Sequence, residues 1–250
     1  MTERFVTAER DGPVCIIRLQ RDEKLNAIST EVERQLAETL SDAAVRTSSC
    51  VLLAGAGRAF SAGADITEFA DRDVEAILRY YGESGGVYEQ LATLPQPTLS
   101  AIHGYCLGGG LELALATDFR IADETAVLGF PELGIGILPS SGGTARATRL
   151  LGPAQAKRLI LLGERIGASD ALALGLVTEV VAEGAALERA LELARSLAAL
   201  SAAAVSVAKQ AIDAAADAPG AAAILIERLA YGVLAQTASA REAARGFGRG

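Results

Sequence analysis

Two glutamates carry the strongest chemical signal in this chain. Glu112 sits in Gly108-Gly109-Gly110-Leu111-Glu112-Leu113-Ala114-Leu115, a helix start that is otherwise apolar. A carboxylate is costly to bury there, and burial raises its pKa. Taken alone, it could equally face water near a helix N-terminus, where negative charge is favoured. Glu132 lies in Gly129-Phe130-Pro131-Glu132-Leu133-Gly134, again among apolar and turn residues. By itself it reads as an ordinary loop carboxylate. As a pair, one can take a proton from water while the other, kept protonated, delivers one. A hydratase or dehydratase needs such a pair, and so does a glycosidase, so the pair does not choose the substrate.

The glycine run Gly108-Gly109-Gly110 joins a predicted strand to a predicted helix. Glycine there permits backbone angles that a side chain would forbid. The free N–H groups of a helix N-terminus attract developing negative charge. A tight turn with close packing is the plainer reading of the same residues. A second glycine-containing loop, Gly55 to Gly63, follows a strand. Its Gly55-Ala56-Gly57 lacks the third glycine of a dinucleotide fingerprint, because Phe60 stands in that place. No GxxxxGK[ST] occurs, so a Walker-type phosphate loop is unsupported, and a hydrolase elbow is not expected either. The single histidine, His103, rules out a multi-histidine metal site, and no metal is expected.

The elements that must hold these residues alternate and then change character. Phe5–Glu9 and Val14–Leu19 read as a hairpin around Asp11-Gly12-Pro13. Thr30-Glu31-Val32-Glu33 is a capping-box pattern that predicts a helix to about Val45. Strands are expected at Cys50–Ala54, Thr98–His103, Phe119–Ala122, Ala126–Gly129 and Leu176–Val181. One helix is expected from about Asp73 to Leu94, stopped by Pro95 and Pro97. A short one spans Gly109–Ala116, Gly152-Pro153 starts another, and Ser169 caps a further one. From about Ala185 onward only Ala-rich helices are expected, at 186–199, 201–216 and 221–238. The order predicts an α/β core, residues 1–195, and a C-terminal helical segment, 196–250. The apolar surface of those last helices fits docking on another subunit or packing on their own core.

Composition bounds the rest. Half of the 250 residues are apolar, enough for a sizeable core, and the formal charge is −8. That charge argues against nucleic acid as a partner. No apolar run is long enough for a membrane span. Cys15, Cys50 and Cys106 are odd in number and widely spaced, which fits buried thiols in the cytoplasm.

Several segments together are similar to the crotonase (enoyl-CoA hydratase/isomerase) superfamily. They are Leu25-Asn26-Ala27, Arg58 to Ile66 (RAFSAGADI), Ala101 to Leu113 (AIHGYCLGGGLEL), Phe130 to Gly136 (FPELGIG) and Ala156-Lys157-Arg158 through Ala171 to Val177. The resemblance covers about residues 5–215 in order. It implies a spiral of β-β-α units with C-terminal trimerisation helices, forming a homotrimer or homohexamer. It implies an acyl-CoA thioester substrate, the coenzyme A entering with it and no other cofactor. Ala62 and Gly109 are then the backbone donors to the thioester oxygen. The loop Ala62, Gly63, Ala64, Asp65 and Ile66, with Leu25 and Ala27, then contacts the CoA, and Asp65 steadies the loop. By motif position Glu112 directs hydroxyl to C3 and Glu132 protonates C2, so the implied reaction is hydration of a 2-enoyl-CoA. Isomerisation of a Δ3 enoyl-CoA by Glu132 alone, other acyl-CoA enolate chemistry, and a non-catalytic oligomer binding acyl-CoA or RNA are the alternatives. His103 stands where many relatives have Asn, and reads as a packing residue. Ser140 and Ser141 replace small residues and either line the acyl pocket or cap a helix. Lys209 and Arg228 either meet a CoA phosphate or lie solvated on the surface.

Overall fold

The computed structural model describes residues 3–68, 73–82 and 84–247. The chain begins with the expected hairpin. Strand β1 (Val6–Asp11) pairs antiparallel with β2 (Val14–Leu19), and Gly12 takes the turn at φ 57°. Helix α1 (Thr30–Ser41) follows, then the short α2 (Ala43–Arg46). The cap falls one residue earlier than the sequence pattern suggests. Ser29 accepts from the Val32 N–H, and Glu33 is buried instead of closing a capping box. Asp42 ends α1 and caps α2 through the Ala44 N–H, which breaks the single helix expected to Val45.

Strand β3 (Cys50–Gly55) is buried at all six positions. Val51 and Leu53 share a core with Val32, Leu36 and Leu40 of α1. Cys50, Leu52 and Ala54 face the other way, onto Ala186, Ala190 and Ala194 of a C-terminal helix. A parallel strand covered on both faces reads as an unbroken apolar run rather than an alternation. Leu36→Ala would cost about 2–5 kcal/mol at such a site.

The helix expected over 73–94 is two helices, α3 (Val74–Gly82) and α4 (Val87–Ala92), with a 3-10 turn at Ser84–Gly86 between them. Next come β4 (Thr98–Ile102), β5 (Tyr105–Leu107) and α5 (Gly109–Leu115). A second such unit is β6 (Phe119–Asp123), β7 (Val127–Gly129) and α6 (Gly143–Leu161). Gly152, at φ 75° and ψ 163°, interrupts α6 where Gly152-Pro153 was expected to start a helix. The chain continues through β8 (Arg165–Gly167), α7 (Ala168–Ala173) and β9 (Glu179–Val181). Ser169 lies inside α7 and does not cap it, since Gly167 holds the N-cap position without a side-chain bond. The strand expected from Leu176 pairs only from Glu179.

Two sheets result. The large one has the order β1-β2-β3-β4-β6-β9 and is parallel from β2 onward. The small one has the order β5-β7-β8. Each turn of the chain lays a strand in the large sheet, then an extended stretch in the small one, then a helix. In the earlier turns that stretch shrinks to single bridges, Ile28 with Ala64 and Ser61 with Cys106. Residues 61–64 therefore run beside β5, and this brings two distant motifs together.

Four helices close the chain: α8 (Ala186–Ala198), α9 (Ala202–Asp217), α10 (Gly220–Leu234) and α11 (Ala238–Phe247). The boundary expected at 195/196 falls in the last turn of α8, a helix packed on the large sheet. Helix α9 is tied to the core by Lys209 with Asp118 at 2.9 Å and Arg149 with Asp217 at 3.1 Å. Among the described residues no single helix is long and apolar enough to cross a membrane. Only α8 and α9 together reach that length, as a pair bent by 107°.

Candidate active site

The glycine turn is built from its backbone upward. Gly108, at φ 50° and ψ −125°, holds angles that a side chain disfavours. Its N–H donates to Gly129 O at 2.9 Å, and its carbonyl accepts the Glu112 N–H at 2.9 Å. Gly110 needs the absence of a side chain for a different reason. A Cβ there would stand 2.7 Å from both Ser61 Cβ and Ser61 O. The turn thus presses α5 against residues 61–64, and Gly109 opens the helix with its N–H outside the intrahelical ladder.

Residues 61–64 are pinned on both sides. Ser61 donates its N–H to Tyr105 O and accepts from the Leu107 N–H, so it pairs with β5. On the other side Ile28 N–H donates to Gly63 O and Asp65 N–H to Ile28 O, both at 2.8 Å. In a parallel bridge those two bonds flank Ala64, whose own N–H must point away from Ile28. It points toward α5: Ala64 N lies 3.3 Å from where a Cβ on Gly109 would stand. Among the described residues neither the Ala64 nor the Gly109 N–H meets an acceptor. The expectation for Ala62 is corrected by the same geometry. Its N–H donates to Leu25 O at 2.9 Å and is already used.

Leu25, Asn26 and Ala27 brace this loop from below. Leu25 and Asn26 both have positive φ, 51° and 55°, which costs free energy and is held by surrounding bonds. Asn26 is 1 % exposed and donates to Ala56 O and Ala59 O, each at 2.8 Å, while accepting from the Arg21 N–H. Asp65 is buried and pairs with Arg21 at 2.9 Å and Lys24 at 3.3 Å. The Thr67 hydroxyl and then these cations hold its carboxyl down to about 2. Its bonds therefore tie the loop to the 21–24 turn. Ala64 and Ile66 are exposed at the rim.

Both glutamates reach this place. Glu112 is 4 % exposed, and its Oε1 accepts from the Ser141 N–H at 2.7 Å and the Gly143 N–H at 2.8 Å. Burial raises its pKa, and the two N–H donors only partly offset that rise. Glu132 opens a 3-10 turn, Glu132–Ile135, and its Oε1 lies 3.0 Å from where a Cβ on Gly108 would stand. Burial pushes its carboxyl up to about 7, and the charge of Glu112 adds to the rise. Its Oε2 is buried with no hydrogen-bond partner among the described residues. Donors thus favour charge on Glu112, while Glu132 is set to hold a proton near neutrality.

Three tyrosines hidden within the expected 73–94 helix also line this region. Tyr88 on α4 is buried, its hydroxyl 3.4 Å from the Gly109 Cβ position. Tyr80 on α3 donates to Glu33 Oε1 at 2.5 Å. Tyr81 donates to Ser140 Oγ. The only sequence signal for them was aromatic residues in a helical stretch, which does not separate a site from a core. Other candidates lie elsewhere. His103 Nε2 is 3.0 Å from Gly57 O, in a cavity of about 520 Å³ that it shares with Arg18, Arg58 and Asp123. Lys209 is spent on Asp118 and on Gln96 O, and Arg228 is exposed on α10. A further cavity of about 1100 Å³ separates α9 from the core, and neither glutamate lines it.

A β-β-α spiral that sets two backbone donors, without an acceptor among the described residues, beside one buried and one half-buried carboxylate frames an acid–base enzyme for carbonyl compounds whose oxygen gains charge. Comparison with known proteins specifies the class. The family model described as "Enoyl-CoA hydratase/isomerase" matches residues 9–248. The short-chain-enoyl-CoA hydratase of Clostridium acetobutylicum is 35 % identical over 249 residues, covering 97 % of this chain and 94 % of its own. The 2,3-dehydroadipyl-CoA hydratase of Escherichia coli K12 is 36 % identical over 248 residues, covering 99 % and 96 %. The crystal structure of enoyl-CoA hydratase from Bacillus anthracis superposes with a TM-score of 0.91 at 36 % identity, covering 98 % and 96 %. The chain belongs to the enoyl-CoA hydratase/isomerase family, and its fold is the crotonase fold.

Proposed function

We propose that this protein reversibly hydrates a 2-enoyl-CoA to a 3-hydroxyacyl-CoA. The observation that carries the reading is the presence of Glu112 and Glu132 together beside the N–H groups of Ala64 and Gly109, which meet no acceptor among the described residues. The thioester oxygen sits between those two donors, each worth about 3–4 kcal/mol as charge develops. One water lies between the carboxylates. Glu112, ionised, takes a proton from it as its oxygen bonds to C3. The C2–C3 π electrons move toward the thioester, and Glu132 gives its proton to C2. Glu112 ends protonated and Glu132 ionised, and exchange with solvent restores both. The pair titrates as a unit, so each carboxyl sets the other's charge. Coenzyme A enters as part of the substrate, along the rim formed by Leu25, Ala27 and residues 62–66. No other cofactor takes part in these steps.

The active form is a homotrimer or homohexamer on this reading. The supporting observation is the apolar face of α10, where Ile224, Leu225, Leu229 and Val233 are each more than half exposed. Exposed apolar surface of this kind is usually covered by a partner. The three cysteines are free and buried, in keeping with a reducing cytoplasm. A panel of enoyl-CoA thioesters assayed for water addition tests the reaction. Products identified by mass should carry one added water and no double bond. A product of unchanged mass with a shifted double bond would replace hydration with isomerisation.

A further inference from the structure

The catalytic reading leaves the far end of the acyl chain unassigned. With the oxygen at Ala64 and Gly109 and C3 beside Glu112, the chain must run on past the wall that holds Glu112. That wall is Ser141, whose N–H donates to the carboxylate, and next to it Ser140. Ser140 is joined to Tyr81, 59 positions away in sequence, by a hydrogen bond between their side-chain hydroxyls. The bond links α3 to the loop that leads into α6. Tyr81 in turn stacks edge-on against Tyr80, with ring centroids 4.9 Å apart, and Tyr80 is anchored to the buried Glu33.

On both walls, the apolar side chains that precede these two residues in sequence stand open to solvent. Val74 and Leu78 fall on the same stripe of α3 as Tyr81, and are 74 % and 68 % exposed. Ile137 and Leu138 precede Ser140 on the loop, and are 50 % and 51 % exposed. A hydrocarbon chain would gain from contact with such side chains, at about fourfold in affinity per methylene. To reach them it must first separate a pair of hydroxyls that satisfy one another. Hydroxyls separated in this way lose that bond, and on the side facing a methylene chain no water replaces it.

We propose that Tyr81 and Ser140 form a clasp that closes the acyl channel and restricts this enzyme to short-chain enoyl thioesters. The proposal rests on the hydratase reading for the position of the acyl chain. Its test is binding of saturated thioesters, which cannot be hydrated. Butyryl-CoA and decanoyl-CoA are titrated calorimetrically into the wild-type protein, Tyr81→Phe, Ser140→Ala and the double variant. The readout is the ratio of decanoyl to butyryl affinity within each protein, so a general loss of binding cancels. The wild type should favour butyryl-CoA. Each single substitution should raise the ratio about three- to tenfold, the net worth of one hydrogen bond at this partly exposed site. The double variant should match the singles, because both remove the same bond. A ratio within twofold of wild type in both single variants overturns the clasp. So does a wild-type protein that already gains several-fold from each added methylene. Crotonyl-CoA hydration by the wild type is measured alongside. Its absence would overturn the hydratase reading, whereas the affinity ratios judge the clasp in either case.

Discussion

Replacing the amide between Gly63 and Ala64 by an ester removes one N–H and leaves the side chains unchanged. That N–H meets no acceptor among the described residues and faces Gly109, so the free protein should lose only the part of the Ile28 N–H bond that a weaker ester carbonyl at Gly63 gives up, about 0.5 kcal/mol. The loss appears when the thioester oxygen gains charge. One such donor is worth about 3–4 kcal/mol, so kcat for crotonyl-CoA should fall by about 10²–10³-fold. The same exchange between Ser61 and Ala62 removes the N–H that donates to Leu25 O at 2.9 Å. There the expected cost is stability, about 1–2 kcal/mol, because a donor is lost and the Ser61 carbonyl that accepts the Leu107 N–H is weakened, with kcat reduced by a few-fold at most. Both proteins can be made by incorporating the α-hydroxy acid in place of the alanine. Initial rates at saturating crotonyl-CoA and thermal unfolding are then compared. The assignment of the donor to Ala64 is refuted if the ester at 62 lowers kcat as much as the ester at 64, or if the ester at 64 leaves kcat intact.

Glu132 should impose an alkaline limb on hydration, with the rate falling as pH rises through about 7, because its proton is consumed in the forward step. Its folded-state pKa lies above the unfolded value, so its neutral form stabilises the fold at low pH and that stability is lost as pH rises through about 7. Glu132→Gln should therefore be more stable than wild type at pH 8 by about 1–2 kcal/mol, after allowing for solvent screening, and equal to it near pH 4, as read by urea unfolding. Asp65→Asn should raise KM for the thioester several-fold more than it lowers kcat, since Asp65 ties the loop to Arg21 and Lys24 and touches no reacting atom. Steady-state kinetics at varied crotonyl-CoA separates the two effects. Gly108→Ala should destabilise by about 1–3 kcal/mol and depress kcat, because its φ is 50° and the new Cβ meets Glu132 Oε1 at 3.0 Å. Calorimetric Tm and kcat measured together check both effects.

The residues that announced themselves in the sequence did so through contrast. Glu112 and Glu132 stand as charges among apolar and turn residues, and Gly108 to Gly110 mark a strand-to-helix junction, so local pattern sufficed. The donor opposite Gly109 was not legible in that way. Ala62 and Ala64 are the same residue type on either side of Gly63, and they differ in whether their N–H is used, since Leu25 O takes that of Ala62 and the bridge to Ile28 turns that of Ala64 away. That depends on Ile28 and Leu25, more than thirty positions away. The tyrosines were hidden for a related reason. An apolar helical period runs from Val74 to Leu91, while the break at Ser84–Gly86 lets α3 and α4 present Tyr80, Tyr81 and Tyr88 from different directions. Glu33 looked like a member of a capping box. Its partner, Tyr80, lies 47 residues on, and such a bond leaves no trace in local spacing. Strands β5 and β8 have three residues each, too few for a periodicity to register.

The mechanism rests on Glu112 and Glu132 acting together on one water. Hydration of crotonyl-CoA by the wild type, Glu112→Gln and Glu132→Gln measures this directly, each variant keeping the shape of the side chain while removing its acid–base function. Either substitution should lower kcat by about 10²–10⁴-fold. A variant of either glutamate that turns over at the wild-type rate would contradict the mechanism.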